Sequence, residues 1–305
     1  MSFINKKICF LLLALLPVFA LNSFAQENHK TKIYVLKIFD EIGPSSWRTT
    51  KMGLQEARDV NADIVLVHMN TYGGLVDAAD SIRTALLNFP KPVWVFIDNN
   101  AASAGALISI ACDSIYMRKG ANIGASTVVT ETQEAAPDKY QSYMRSMMRS
   151  TAQAQGRDPM IAEAMVDPDV YIEGVVDSGK VLTFTTEEAI AHGYCEGQAE
   201  SIEEIIQRNG IAEYEIVRQE ISALDKFIGF LINPVISGLL IMLIIGGIYF
   251  EMQSPGIGFA LLVAIVAALL YFAPLYIEGL ANNWEILIFI IGIGLLAVEI
   301  FVIPG

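Results

Sequence analysis

A hydroxyl, an amine and a glycine pair are spaced along this 305-residue chain in a way that could support nucleophilic chemistry. Ser103 sits in Asn99-Asn100-Ala101-Ala102-Ser103-Ala104-Gly105-Ala106. Before it, Val93 to Ile97 reads as a buried strand; after it, Leu107 to Cys112 reads as a buried helix. A serine at such a turn is walled by side chains too small to cover it. The helix start supplies unpaired N–H groups, useful to an oxyanion formed by attack. An ordinary helix N-cap in a tightly packed neighbourhood explains the same window, so the case needs support from elsewhere.

Support comes from two further places. Asn70-Thr71-Tyr72-Gly73-Gly74 follows the strand Asp63 to Val67, at the edge where ligands sit in open α/β sheets. Adjacent glycines permit positive φ and close backbone approach. The loop has neither the lysine nor the spacing of a phosphate loop, so its use would be to donate a backbone N–H to an oxyanion. Lys139 opens a helix running from Tyr140 to Gln155, where a cation opposes the macrodipole. A surface lysine needs no explanation there; a general base would need burial to bring its amine into a working range. Lys119, in the polar turn Arg118-Lys119-Gly120, and His68, closing a strand, are rival bases.

The elements that must hold these groups follow from apolar patterning. From Lys32 to about Gln219, strand-like runs alternate with helical stretches, which indicates parallel pairing in one α/β domain. The segment Thr127 to Pro137 is polar and without periodicity, and reads as a mobile loop. Met144, Met147 and Met148, with Tyr143, form a stripe on the following helix that could face its own core or a second copy. Residues 1–25 read as a signal peptide: Lys6-Lys7, an apolar core, then Ser23-Phe24-Ala25. Export permits disulfides, but Cys112 and Cys195 read better as two buried free thiols. Neither they nor the scattered histidines give a metal-ligand spacing, and no cofactor is called for. The net charge of −13 excludes nucleic acid as a partner, since phosphate binding needs clustered Lys and Arg.

At Phe227 the composition changes. No Lys or Arg occurs from there to Gly305, and three apolar spans appear: Phe227 or Pro234 to Phe250, Ile257 to Leu275, and Ile286 to Ile303. Each approaches the ~20 residues that cross a bilayer. Loops without basic residues leave the positive-inside rule nothing to count, so orientation rests on the signal peptide, which puts residues 26–226 outside the cytoplasm. Glu251 to Gly256 and Glu299 to Gly305 end the first and third spans alike, so a further span is expected and the chain reads as a truncated form.

The order Asn70-Thr71-x-Gly73-Gly74-Leu75, then Ala102-Ser103-Ala104-Gly105, then Lys139 resembles that of the NfeD proteins. These are membrane-bound serine proteases of the ClpP class and operon partners of stomatin-like proteins. The likeness spans signal peptide, exported domain and membrane spans. It implies a ClpP/crotonase-type fold of repeated ββα units over residues 26–226, followed by transmembrane helices over 227–305. It implies Ser103 as nucleophile, Lys139 as its base, Gly74 and Ala104 as oxyanion-hole donors, and Gly73 in the substrate loop. A membrane-anchored endopeptidase then follows, multi-pass in the inner membrane and self-associated as a dimer or higher. Its substrate would be an apolar segment of a stomatin- or prohibitin-like protein. Tyr72 stands where relatives usually have proline, and Val128 where soluble ClpP relatives carry histidine, which leaves a lysine dyad as the available route. A non-catalytic scaffold for stomatin-like partners is the competing expectation, since a fold does not guarantee its usual chemistry.

Overall fold

The computed structural model describes residues 30–130, 132, 134–253, 258–277 and 283–301. The signal peptide expected over residues 1–25 lies outside the described residues, as do 254–257 and 302–305, where the repeated span endings fall.

Continuous apolar runs, whose successive side chains point to opposite faces, bury the central strands on both sides. In β1 (Thr31–Ile38), Tyr34, Leu36 and Ile38 enter one core while Ile33 and Val35 enter another. β2 (Ile64–Thr71) and β3 (Val93–Ala102) repeat the pattern, with Val65, Val67 and Met69, then Val93, Val95 and Ile97, on the first face. Helices α1 (Pro44–Asp59) and α2 (Val76–Leu87) connect these three parallel strands. With α3 (Ala104–Ile110), β4 (Ser114–Met117), β5 (Asn122–Gly124), α4 (Asp138–Ala154) and α5 (Pro159–Ala164), they build the larger core. β6 (Thr183–Thr185), α6 (Thr186–Ala191), β7 (Gly197–Gln198), α7 (Ile202–Arg208) and β8 (Tyr214–Arg218) complete the domain. Ile202, Ile205 and Ile206 of α7 cover the second face.

The sheet runs β6-β5-β3-β2-β1-β8, parallel except for the β5–β6 pair. β3 forks: Trp94 to Ile97 pair with β4, whereas Asn100 to Ala102 pair with β5. Residues 99–102, read from sequence as a turn, are therefore strand, and so is Asn122 to Gly124. Both segments are rich in Ala, Asn and Gly, which hides their ladder pairing from a propensity reading.

Arg157 closes the base of α3. Its guanidinium donates to the carbonyls of Ile110 at 3.1 Å, Cys112 at 2.9 Å and Asp113 at 3.3 Å, and pairs with Glu196 at 3.3 Å. Cys112 and Cys195 are buried free thiols, as expected. Burial pushes the Cys195 thiol up to about 11 and that of Cys112 higher still.

Beyond the sheet come α8 (Ala223–Leu231), then α9 (Pro234–Gln253), α10 (Phe259–Ile277) and α11 (Asn283–Phe301). The break at Asn233-Pro234 settles where the first apolar span begins, because proline tolerates only the first turn of a helix. Among the described residues, α9 and α10 are long and apolar enough to cross a membrane, with mean hydropathy of 2.1 and 2.4. They pack closely at Gly247, where a Cβ would lie 2.6 Å from the Ala260 carbonyl oxygen, the small-residue contact that lets membrane helices approach.

Replacing Arg157 by alanine strands three carbonyls around the end of the α3 helix. This is expected to cost about 2–4 kcal/mol, seen as a fall of several degrees in the melting temperature of the detergent-solubilised chain. Arg157→Lys, with one point charge for a planar fork, is expected to fall between the two. An unchanged melting temperature for Arg157→Ala would remove the guanidinium from the list of supports for α3.

Candidate active site

The forked strand ends by delivering Ser103 into a backbone conformation of φ 53° and ψ −119°, from which α3 starts at once. Such a conformation is unfavourable for a residue with a Cβ and persists only where surrounding contacts over-determine it. Here the Ser103 N–H donates to the Gly124 carbonyl at 2.8 Å. Its own carbonyl accepts from Ala106 N–H at 3.0 Å and from the Ser126 hydroxyl at 3.2 Å. Opposite lies the glycine loop. A Cβ on Gly73 would stand 2.6 Å from Ser103 Cβ and 3.1 Å from its Oγ, so only glycine permits the approach.

That loop is fixed from behind. Ile42 N–H donates to the Gly73 carbonyl at 2.8 Å and Leu75 N–H to the Ile42 carbonyl at 2.7 Å, a parallel bridge centred on Gly74. In a parallel bridge the central residue's own N–H points away from its partner, so the Gly74 N–H is directed away from Ile42. Among the described residues neither the Gly74 nor the Ala104 N–H meets an acceptor. The Thr71 hydroxyl donates to the Asp40 carbonyl at 2.8 Å and accepts from Gly73 N–H at 3.2 Å.

Ser103 opens onto a cleft of about 830 Å³ whose rim includes Phe39, Asp40, Tyr72, Val129 and Thr130. Beneath it, Val76, Ala79, Val128 and Met144 line a recess of about 60 Å³ that reaches Ser103, Gly74 and Ala104. One wall is the stretch expected to be a mobile loop. Its described residues instead form a hairpin, with Val129 bridged to Ala135, Thr130 N–H on the Glu134 carbonyl at 2.8 Å and Ala136 N–H on the Val128 carbonyl at 2.9 Å. The Gln141 amide clamps it, accepting from Val128 N–H at 3.0 Å and donating to the Val128 carbonyl at 2.6 Å. One side chain thus does what a third strand would do, which no periodicity reveals.

Ser103, Gly73, Gly74 and Ala104 are therefore brought together. Lys139 is not: it is exposed, does not line the cleft or the recess, and holds its ammonium 4.7 Å from the centre of the Tyr140 ring. The burial that a lysine base requires is absent in this arrangement. Neighbouring Asp138 turns to Arg145 at 2.9 Å. Lys119 is likewise exposed and away from the cleft. His68 fails for a reason of register. Opposite Phe96 in the β2–β3 ladder, it shares the α7 side of the sheet with Asp98, 3.5 Å away, whereas α3 packs on the other side. Burial lowers the His68 pKa, partly opposed by Asp98. The methionine stripe faces its own core, with Met144, Met147 and Met148 buried, while Tyr140 and Tyr143 stay exposed.

Sequence reasoning passed over Thr71, Gln141, Ser126 and Ile42. Thr71 alone left a signal, a hydroxyl two residues before a glycine, the spacing of a side-chain turn. The other three act through tertiary contacts.

A chain that ends a strand in a strained serine, faces it with a glycine loop and continues into apolar helices matches known proteins over most of its length. Residues 32–219 match the NfeD1b N-terminal domain and residues 235–305 the NfeD integral membrane domain, so the chain belongs to the NfeD family. It is 34% identical over 297 residues to membrane protein NfeD1b of Bacillus subtilis, covering 96% of this chain and 68% of that one. A membrane-bound protease of Pyrococcus horikoshii is 26% identical over 251 residues, which are 74% of this chain and 54% of the relative. Among solved structures, a membrane-bound stomatin-specific protease superposes with a TM-score of 0.58 at 25% identity, covering 67% of this chain and 98% of that one. It is a lysine-to-alanine variant in complex with a substrate peptide. A serine-to-alanine variant of the same protease superposes with a TM-score of 0.56, covering 63% and 99%.

Gly73→Ala introduces both strain at φ 110° and a clash with Ser103. If Ser103 is a nucleophile whose oxyanion this loop receives, its labelling by a fluorophosphonate probe slows by about 10²–10³ in the variant, as on displacing an oxyanion donor. Circular dichroism of the variant is expected to stay native. Undiminished labelling would separate the loop from the serine's reactivity.

Proposed function

We propose that the chain is a membrane-anchored serine endopeptidase that cuts apolar segments of stomatin-like membrane proteins outside the cytoplasm. The observation that carries this reading is the positive-φ turn at Ser103 held against Gly73, a strained conformation that helix capping does not require. The apolar recess beside the hydroxyl suits an apolar side chain next to the scissile bond. The relative's variants, one lacking a lysine and one a serine, support a dyad of those two residue types.

In this mechanism Ser103 Oγ attacks the substrate carbonyl while its proton passes to the neutral amine of Lys139. The tetrahedral oxyanion accepts from the Gly74 and Ala104 N–H groups. Collapse breaks the C–N bond, and the Lys139 ammonium returns the proton to the leaving amine. Water then enters as the second nucleophile, activated by the same amine, and frees the acyl group from Ser103. Lys139 has to leave the Tyr140 face and enter the cleft, and the start of α4 beside the hairpin is where that rearrangement falls. Substrate binding or pairing of exported domains would favour it. The reaction uses side chains and backbone alone. The exposed Lys139 also favours the competing reading, a scaffold that gathers stomatin-like partners without cutting them.

Ser103→Ala is expected to abolish cleavage of apolar peptides by the full chain in detergent while leaving the melting temperature within a degree or so of wild type. Lys139→Arg keeps the charge but cannot deprotonate, and is expected to be as inactive as Lys139→Ala. Cleavage by the alanine variant of Ser103 would leave the scaffold reading standing; cleavage by the arginine variant alone would remove Lys139 and keep the serine.

A further inference from the structure

Between the sheet domain and the first apolar span lies α8, and its two faces are occupied in different ways. The face toward the domain is covered, with Ile228 and Gly229 buried, and is anchored by a charged pair. Asp225 pairs with buried Arg48 of α1 at 2.9 Å and accepts from the Ser222 hydroxyl at 2.6 Å, contacts that hold its carboxyl below the usual range. Gly229 packs against Ser45, whose Oγ would lie 2.7 Å from an added Cβ. The opposite face is apolar and uncovered: Leu224, Phe227 and Phe230 are 66%, 50% and 55% exposed. Three large apolar side chains spaced three apart on one helical face do not stay in water without a partner.

What covers them follows from continuity with the membrane domain. The helix ends three residues before α9, and Leu231 belongs to the same buried cluster as Leu240, Ile244, Ala267 and Ala268 of the membrane-spanning pair. Leu240 lies in the second turn of α9, so the last turn of α8 is already part of the packed membrane domain. Lys226 borders the apolar face, where a long side chain can reach headgroups while its stem stays in the apolar layer.

We infer that α8 lies along the bilayer surface with Leu224, Phe227 and Phe230 immersed at the headgroup–acyl boundary. It thereby holds the sheet domain, through Arg48 and Ser45 at the start of α1, directly on the membrane. The occupant is lipid rather than a second copy or a soluble protein. The inference rests on the family's membrane domain and not on peptidase activity.

The test uses the full chain, with Cys9 replaced by serine, reconstituted in phosphatidylcholine vesicles. A nitroxide is attached in turn to Leu224→Cys, Phe227→Cys, Phe230→Cys and Lys226→Cys; Cys112 and Cys195 are buried and do not compete for label. The ratio of collisions with oxygen to collisions with a water-soluble nickel complex reads depth. A ratio severalfold higher at positions 224, 227 and 230 than at 226 is expected. Equally low ratios at all four would put the face in water and overturn the proposal. Dipolar broadening between chains that vanishes on dilution with unlabelled protein would assign the face to a second copy, and overturn it equally.

Discussion

The backbone at Ser103 is the constraint around which the rest of the domain is arranged. A side-chain-bearing residue at φ 53° is held there by a carbonyl from β5, a hydroxyl from Ser126 and the missing Cβ of Gly73. Two of these supports come from residues 124–126 and the third from the loop after β2, and each depends on another element. β5 can offer Gly124 because β3 forks and leaves its last three residues free to pair with it. Gly73 can approach because Ile42 and Thr71 grip the loop from the far side. The helix that Ser103 begins keeps its place because Arg157 gathers the carbonyls at its other end. The hydroxyl is thus presented at one fixed point, while the residue proposed as its base sits on the segment with the fewest such ties.

That asymmetry separates two kinds of element. Ser103, Gly74 and Ala104 are built on a strand end, a bridge and a buried helix, so their positions are set by the core itself. Lys139 is set by a hairpin held through one glutamine and by the first turn of α4, and its ammonium rests on an exposed tyrosine. Strand-borne groups are exact and immobile; a lysine on a helix start can be present or withheld.

The sequence carried the strand-borne half of the site and not the other. The unbroken apolar runs Ile33 to Leu36 and Val93 to Ile97 announce strands buried on both faces of a parallel sheet. Ser103 between an apolar run and a small-residue helix, and Gly73-Gly74 after a strand, mark the loop ends where chemistry concentrates. The apolar helices after Phe227 are legible from composition alone, although the exact start needed Pro234. What stayed hidden depends on distance in space. The pairing of Asn100 to Ala102 with Asn122 to Gly124 uses residues of poor strand propensity, and the Gln141 clamp is one amide serving two carbonyls and an N–H. The position of Lys139 relative to Ser103 is likewise a tertiary fact, as is the side of the sheet on which His68 falls until the register is known.

The ion pair between Arg48 and Asp225 has a consequence for how the domain can be separated from its membrane. Arg48 lies in the early part of α1, six residues after Ile42, whose bridge to Gly74 aligns the glycine loop. Cutting the chain after β8 would delete Asp225 and the helix beneath α1, leaving the Arg48 guanidinium buried beside the vacated site with one counter-ion fewer. A soluble fragment ending there would carry its defect near the start of the helix that follows Ile42. One ending after Leu231 would keep the carboxylate, but would also take three bare aromatic and aliphatic side chains into solution and self-associate through them. The boundary between sheet domain and membrane helices is therefore a shared part of both, and neither half is whole without it.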